Sequence, residues 1–439
     1  MADVKIPAAN TFGTSTRGAL PYKELVLAFS YGVYLLEQYI HIRQHRRLRS
    51  AVRPAALEDV VEQDAFLRAQ AYGRDKSRFR FVQNIWSLLL TTAILSYDLL
   101  PLLWNAVGAG LYRYAGLSAE YEITRSVVFV LVFALVNAVI DIPFNLYGTF
   151  VIEERHGFNK QTLALFFTDF VKSLLVSAAI GAPLIAAFLS IIHWAGASFY
   201  YYVWLFMVVF QLVMITIYPT LIQPLFNKFT PLPEGQLRTK IEALAARIQF
   251  PLTKLYVIDG SRRSSHSNAY FFGFYKNKRI VLFDTLLEHS TEEEVCAVLG
   301  HELGHWKLNH MIKNLVVAQI HLFTVFYLFS HCYRDAHLYR AFGFTDNTMP
   351  VLIGFLLFNY IFSPVESVLS FAMNMLSRKY EFEADAFAKK LGYTEDLKSG
   401  LIKLHTKNLG DMNPDPWYSA YHFSHPPLVE RLAALGKTE

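Results

Sequence analysis

Charge and cysteine are both scarce in this chain. Asp, Glu, Lys and Arg make up 18% of its 439 residues, against roughly one quarter in soluble globular proteins. Its two cysteines, Cys296 and Cys332, fall on either side of an apolar run, which excludes a disulfide framework. The net charge of +5 comes without a basic stripe interleaved with aromatics, so nucleic acid is not expected as a partner. There is no internal repeat and no low-complexity tract. Residues 1–23 are polar and carry Pro7 and Pro21. A cleavable signal peptide has instead a short apolar core followed by a small-residue cleavage site, so the first apolar run is expected to serve as its own signal.

What the chain has is apolar length. It is 53% hydrophobic, with a mean hydropathy of +0.26. Seven runs come near the ~20 residues that cross a bilayer, at 25–40, 82–104, 127–147, 173–193, 201–221, 312–330 and 351–371. Seven such runs predict a polytopic membrane protein. The segment after the first is rich in Arg and Lys, from Arg43 to Arg80, and is therefore expected in the cytosol. Alternation puts the N-terminus in the lumen and both 222–311 and 372–439 in the cytosol.

Four parts result: 1–221 with helices one to five, a soluble segment 222–311, helices six and seven in 312–371, and a C-terminal segment 372–439. The two soluble segments share one side of the membrane and can form one domain. The first is expected to hold a helix at 234–249, strands at 254–258 and 279–283, and a hairpin through 262–274, hence a small β-sheet. The fold class is mainly α. Several runs carry polar side chains: Asp98 in the second, Asn137, Asp141 and Asn145 on one face of the third, and Asn314, Gln319 and His321 in the sixth. They fit a hydrated cavity or hydrogen bonds between packed helices.

Within 222–311 stands His301-Glu302-Leu303-Gly304-His305. On a helix, residues i and i+4 share a face, so both imidazoles reach one Zn²⁺ while Glu302 reaches a water on the metal. The helix start is marked by Ser290 with Glu293, or Thr291 with Glu294, as a capping box. A catalytic zinc needs a third protein ligand. His310 is nearest in sequence, but on a continuous helix it falls about half a turn off the ligand face. Glu381, in Glu381-Phe382-Glu383-Ala384-Asp385, is the better candidate, with Asp385 one turn on to hold an imidazole's free nitrogen. The alternative is a solvated acidic helix face. Glu383 points elsewhere on that helix and is set aside. Near the end, Ser424-His425-Pro426-Pro427 leads to Arg431. His425 and Arg431 are candidate donors to a developing oxyanion, or else parts of a turn before a surface helix.

With HELGH, EFEAD and SHPPLVER on one polytopic chain, the sequence resembles the type I CAAX prenyl proteases, membrane zinc metalloproteases. The resemblance extends to residues 152–160 and 264–270 and covers nearly the whole chain. That family usually has Gln where this chain has Glu383. The resemblance implies one Zn²⁺ per chain on His301, His305 and Glu381, with Glu302 as general base and Asp385 behind a ligand. It places His425 and Arg431 as transition-state or substrate contacts. It further implies seven helices around an intramembrane chamber, capped by the zinc-protease domain.

The substrate chain is then expected to add as a strand against Asn268, Ala269 and Tyr270. The expected partners are prenylated CAAX proteins or peptides and the lipid bilayer. The expected activity removes three C-terminal residues, with a second upstream cut in some members. The expected location is the endoplasmic reticulum membrane, and also the inner nuclear membrane, with the site facing the cytosol and the chain working as a monomer. A membrane quality-control protease clearing misfolded or translocon-clogging proteins would use the same site. A transporter with a structural zinc would need a fourth protein ligand, and no Cys or His at suitable spacing provides one.

Overall fold

The computed structural model describes residues 20–118, 120–274, 277–345 and 348–437. Long helices come first: α1 Tyr22–Leu48, α2 Gln63–Ser96, α3 Leu99–Ala115, α4 Glu122–Tyr147, α5 Leu163–Ala195 and α6 Phe199–Ile217. The first soluble segment holds β1 Phe229–Pro231, α7 Gln236–Ile248, β2 Leu252–Ile258, β3 Ala269–Phe274, β4 Asn277–Phe283, α8 Asp284–His289 and α9 Glu292–Lys307. Then follow α10 His310–Cys332, α11 Ala336–Ala341, α12 Val351–Lys390, α13 Thr394–Lys407, α14 Pro416–His422 and α15 Leu428–Gly436.

The long helices touch in a closed circuit, α1 to α2, α3, α4, α5, α6, α10, α12 and back to α1. The apolar stretches of those able to cross a membrane are only 6% to 39% buried. A packed bundle would enclose its helices, whereas a ring leaves each with one face to lipid and one to the interior. By length and apolarity, five elements among the described residues can cross a membrane, or six with the bent pair α2–α3. The expected count was seven. The difference lies in residues 163–225, a single 63-residue helical run. That run turns at Gly196, whose φ is +58°, and Lys172 Nζ donates to Leu225 O at 3.1 Å. Its two limbs therefore lie side by side.

The expected continuous span at 82–104 is also broken. α2 and α3 meet at 65° about Asp98, which adopts a left-handed φ of +51° and accepts from Lys23 Nζ at 2.6 Å. The polar residues of the spans divide between the two expectations. Gln319 Nε2 donates to Gln211 Oε1 across helices at 2.5 Å, and His321 pairs with Glu366 at 3.1 Å. Asp141 and Asn145 are exposed.

The sheet has the order β1-β2-β4-β3. β2 and β4 are parallel, while β1–β2 and β3–β4 are antiparallel. β3 is an edge. α7 and α9 bury Ile241, Leu244, Leu299 and Leu303 against Leu255, Ile280 and Leu282 of the sheet. The other side of α9 meets α12 with almost no side chain between them. A Cβ on Gly304 would lie 3.2 Å from both Cα and O of Ala384 and 3.1 Å from Phe387 Cδ1. Backbone cannot move aside as a side chain can, so only glycine allows this crossing.

Gly304→Val is therefore expected to force α9 and α12 apart, at a cost of about 1–3 kcal/mol. Thermal unfolding of the solubilised protein should show a lower midpoint, with less zinc retained. Gly181→Ala, where nothing lies within 4 Å of the added Cβ, should lower neither.

Candidate metal centre

α9 starts where the acidic cluster predicts. Thr291 Oγ1 accepts from Glu294 N at 3.3 Å, and Glu294 Oε2 accepts from Thr291 N at 2.8 Å, the second of the two expected capping boxes. The same carboxylate accepts from Ser399 Oγ at 2.6 Å and Lys403 Nζ at 2.7 Å, which ties α13 to the start of α9. Lys240 of α7 adds pairs to Glu292 at 2.7 Å and Glu293 at 2.6 Å. The helix carrying the two histidines is thus fixed from three sides before any metal is considered.

About two and three turns after Glu294, His301 and His305 bring their Nε2 atoms within 3.2 Å of each other. Glu381 of α12 faces both, its oxygens 3.5 Å from His301 Nε2 and 3.3 Å from His305 Nε2. One ligand atom from each of the three residues fits within a 4.8 Å cluster. Glu381 is buried, and its Oε2 has no hydrogen-bond partner. A buried carboxylate oxygen left without a donor is costly. Two imidazole nitrogens and a carboxylate facing one point, with room for a further ligand, are the donor set of a catalytic zinc. The residues present fit the ion.

Each imidazole is held from behind. His301 Nδ1 donates to Asp385 Oδ1 at 2.8 Å. Asp385 also accepts from Arg431, through Nε at 2.8 Å and an Nη at 2.6 Å. Burial acts against protonation of His301, yet its bond to Asp385 and the facing Glu381 carboxylate outweigh this and raise its pKa to about 9. His305 Nδ1 lies 3.0 Å from His310 Nδ1, and His310 Nε2 lies 2.9 Å from Glu383 Oε2. With every N–H directed outward, toward Glu383, the Nε2 of His305 keeps its lone pair for the metal.

Sequence reasoning missed this second relay. It ran one helix through His310, whereas α9 ends at Lys307 and Asn309, at φ +58°, redirects the chain. His310 is returned to the back of His305 and stacks on Tyr380 at 4.1 Å.

Glu302 is half-buried and lines a cavity of about 350 Å³ together with His301, Glu381, His425, Ala269 and Asn268. Burial raises its pKa, against the lowering effect of His301 and His305. His425 is two-thirds exposed, with Nε2 3.4 Å from Glu381. Arg431 lines the same cavity but is buried, and Asp385 takes two of its three nitrogens. Its remaining nitrogen, Nη1, lies 3.6 Å from Glu381 Oε2.

Of the expected substrate strand, Asn268 O accepts from Phe283 N of β4 at 3.1 Å. By the alternation of an antiparallel pair, Asn268 and Tyr270 spend their main-chain groups on β4, and Ala269 and Phe271 turn theirs to the outer edge, where Ala269 N donates to Asn268 Oδ1 at 2.8 Å. Residues 152–160 and 264–270, which no spacing argument had joined, meet through an Asn159–Ser264 bridge and through His266, 3.2 Å from Glu153.

A family model described as "CAAX prenyl protease N-terminal, five membrane helices" matches residues 41–228, and one for Peptidase family M48 matches residues 231–439. This chain belongs to the CAAX prenyl proteases of peptidase family M48. It is 50% identical over 418 residues to a CAAX prenyl protease 1 homolog of Oryza sativa subsp. japonica, covering 95% of this chain and 98% of that one. It is 41% identical over 434 residues to CAAX prenyl protease 1 of Saccharomyces cerevisiae, covering 95% of each. The crystal structure of S. mikatae Ste24p superposes with a TM-score of 0.90 at 42% identity, covering 95% of this chain and all of that one. Like other family members, this protein is a zinc-dependent metalloprotease.

Two outcomes follow for a CAAX prenyl protease built this way. Asp385→Asn should weaken zinc binding about 10- to 100-fold, read by competition with a chelator. Zinc binding should also depend on pH. His301 holds a proton below about pH 9, and a metal must displace it. Apparent affinity should therefore fall from pH 9 to pH 6, by up to about one log unit per pH unit, and calorimetry in two buffers should register proton release at pH 7.5. A flat profile would contradict the assignment.

Proposed function

We propose that this chain is an integral-membrane zinc endopeptidase that removes the three C-terminal residues of prenylated CAAX proteins, with a second upstream cut on some substrates. The observation that carries this reading is a single cavity lined by His301 and Glu381 of the His301–His305–Glu381 cluster, by Glu302 and by the start of β3. Zinc on His301, His305 and Glu381 would supply Lewis acidity toward the scissile carbonyl and the attacking water. Glu302 takes the proton of that water and delivers it to the leaving amine; its raised pKa suits both roles. His425, exposed at the cavity with Nε2 3.4 Å from Glu381, is the candidate donor to the developing oxyanion. Arg431 and Asp385 act through His301 and Glu381 as positioning residues.

The main-chain groups of Ala269 and Phe271 bind the peptide as an added strand, which tolerates varied side chains. Selection then falls to the prenyl group, held by the apolar helices of the ring. The Arg- and Lys-rich segment 41–80 supports a site on the cytosolic side, in the endoplasmic reticulum and inner nuclear membranes. Cluster and cavity are built from one chain, which supports action as a monomer.

Glu302→Ala should keep zinc and fold while lowering cleavage of a farnesylated CAAX peptide about 10²- to 10⁴-fold. Purified protein retaining near wild-type turnover would overturn the mechanism. Equal rates on prenylated and unprenylated peptides would favour a quality-control protease.

A further inference from the structure

Next to the cavity at the metal cluster lies another, of about 350 Å³, and Asn408 and Gly410 line both. Asn408 marks the boundary, its Oδ1 accepting from Ser267 N at 3.1 Å. Two cations line the second cavity from α2, Lys76 and Arg80, and both are exposed into it. Among the described residues Arg80 makes no hydrogen bond or ion pair, and Lys76 has only the Tyr72 hydroxyl, at 3.3 Å, and its ring. The nearby carboxylates are hydrogen-bonded elsewhere, while Glu153 attracts Lys76 and Glu37 attracts Arg80 only through space. Glu153 accepts from Tyr72 at 2.6 Å and lies 3.2 Å from His266, and Asp411 accepts from Gln44 and from Asn413 N.

We propose that Lys76 and Arg80 form an anion subsite that takes the free C-terminal carboxylate of the peptide substrate. The inference rests on the proposed endopeptidase reading and deepens it. A peptide paired with β3 passes the metal cluster at Ala269 and continues past Ser267 and Asn408. The three residues beyond the scissile bond extend about 10 Å, and they end in the one obligatory negative charge of such a substrate. Charge complementarity sends that end toward Lys76 and Arg80. The prenylated side then runs along β3 toward Gly273, antiparallel to it, the pairing with the better hydrogen bonds. A charge-assisted hydrogen bond contributes about 1.5–3 kcal/mol, or roughly 10- to 100-fold in kcat/KM. The subsite would thereby measure three residues from chain end to scissile bond.

The test compares a farnesylated CAAX peptide ending in a free acid with the same peptide ending in an amide. The zinc-loaded wild-type protein should prefer the acid by about tenfold or more in kcat/KM. In Arg80→Gln and Lys76→Gln, with zinc content and melting temperature checked, the acid-to-amide ratio should fall toward one. As a measurement free of mutation, the product tripeptide acid should bind the wild-type protein more tightly than its amide. Equal cleavage of acid and amide by the wild type overturns the subsite, as does an unchanged ratio in both variants, while the endopeptidase reading stands. No cleavage of either peptide by the wild type overturns both.

Discussion

The site depends on the close crossing of α9 and α12. Gly304 sits directly on the Ala384 backbone, and the residues flanking this contact are the chemical ones. His301 and His305 lie one turn apart on α9, and Glu381 and Asp385 one turn apart on α12. A crossing this tight lets a short carboxylate reach the front of both imidazoles and its neighbour reach the back of one. It also concentrates lone pairs: two ring nitrogens lie 3.2 Å apart beside a buried carboxylate oxygen without a hydrogen bond, a set that a bound cation would satisfy. Packing forces the groups together, and the ion removes the electrostatic cost of doing so.

The parts legible in the sequence were those set by local periodicity. The capping box at Thr291 and Glu294, the i, i+4 pairing of His301 and His305, and the one-turn spacing of Glu381 and Asp385 all follow from helix geometry. That Glu381 rather than His310 faces the two imidazoles depended on placing both soluble segments on one side of the membrane. What was not legible is what breaks periodicity. Asn309 in a left-handed conformation reverses the position of His310, and through it that of Glu383, whose spacing on its own helix pointed away from the site. Asp98 breaks α2 from α3 in the same way. Left-handed Asn and Asp residues are several-fold enriched, but no single sequence marks which of them will adopt that backbone. Arg431 shows a third kind of gap: its distance from the cluster was foreseen by resemblance, but its bidentate bond to Asp385 is a property of the fold.

The two imidazoles are supported unequally. His301 is backed by an aspartate that is itself clamped by a buried arginine, so its tautomer and orientation are fixed within a wholly buried group. His305 is backed by a neutral relay partner that leads to a half-exposed Glu383. A glutamine amide oxygen at this position could accept from His310 as a carboxylate can. The charge at Glu383 therefore adds basicity to His305 without being needed for its orientation, in keeping with a relay whose outer end meets solvent.

Ring and site are one mechanical unit. The C-terminal end of α1 is tied to the C-terminal segment through Arg43, which makes two bonds to Asp415 at 3.0 and 3.1 Å, and through Gln44, which accepts from Asp415 N at 2.7 Å. α12 spans both, since its first half closes the ring against α1 and its second half delivers Glu381. Moving the ring wall therefore moves a metal ligand. A lipidated peptide presents two incompatible parts, an apolar chain that prefers the interior of the ring and a polar backbone that needs hydrogen bonds. Only where the ring wall passes into the zinc domain can both be satisfied at once. A helix continuous across that boundary would keep a prenyl group on the ring and the scissile position at a fixed separation.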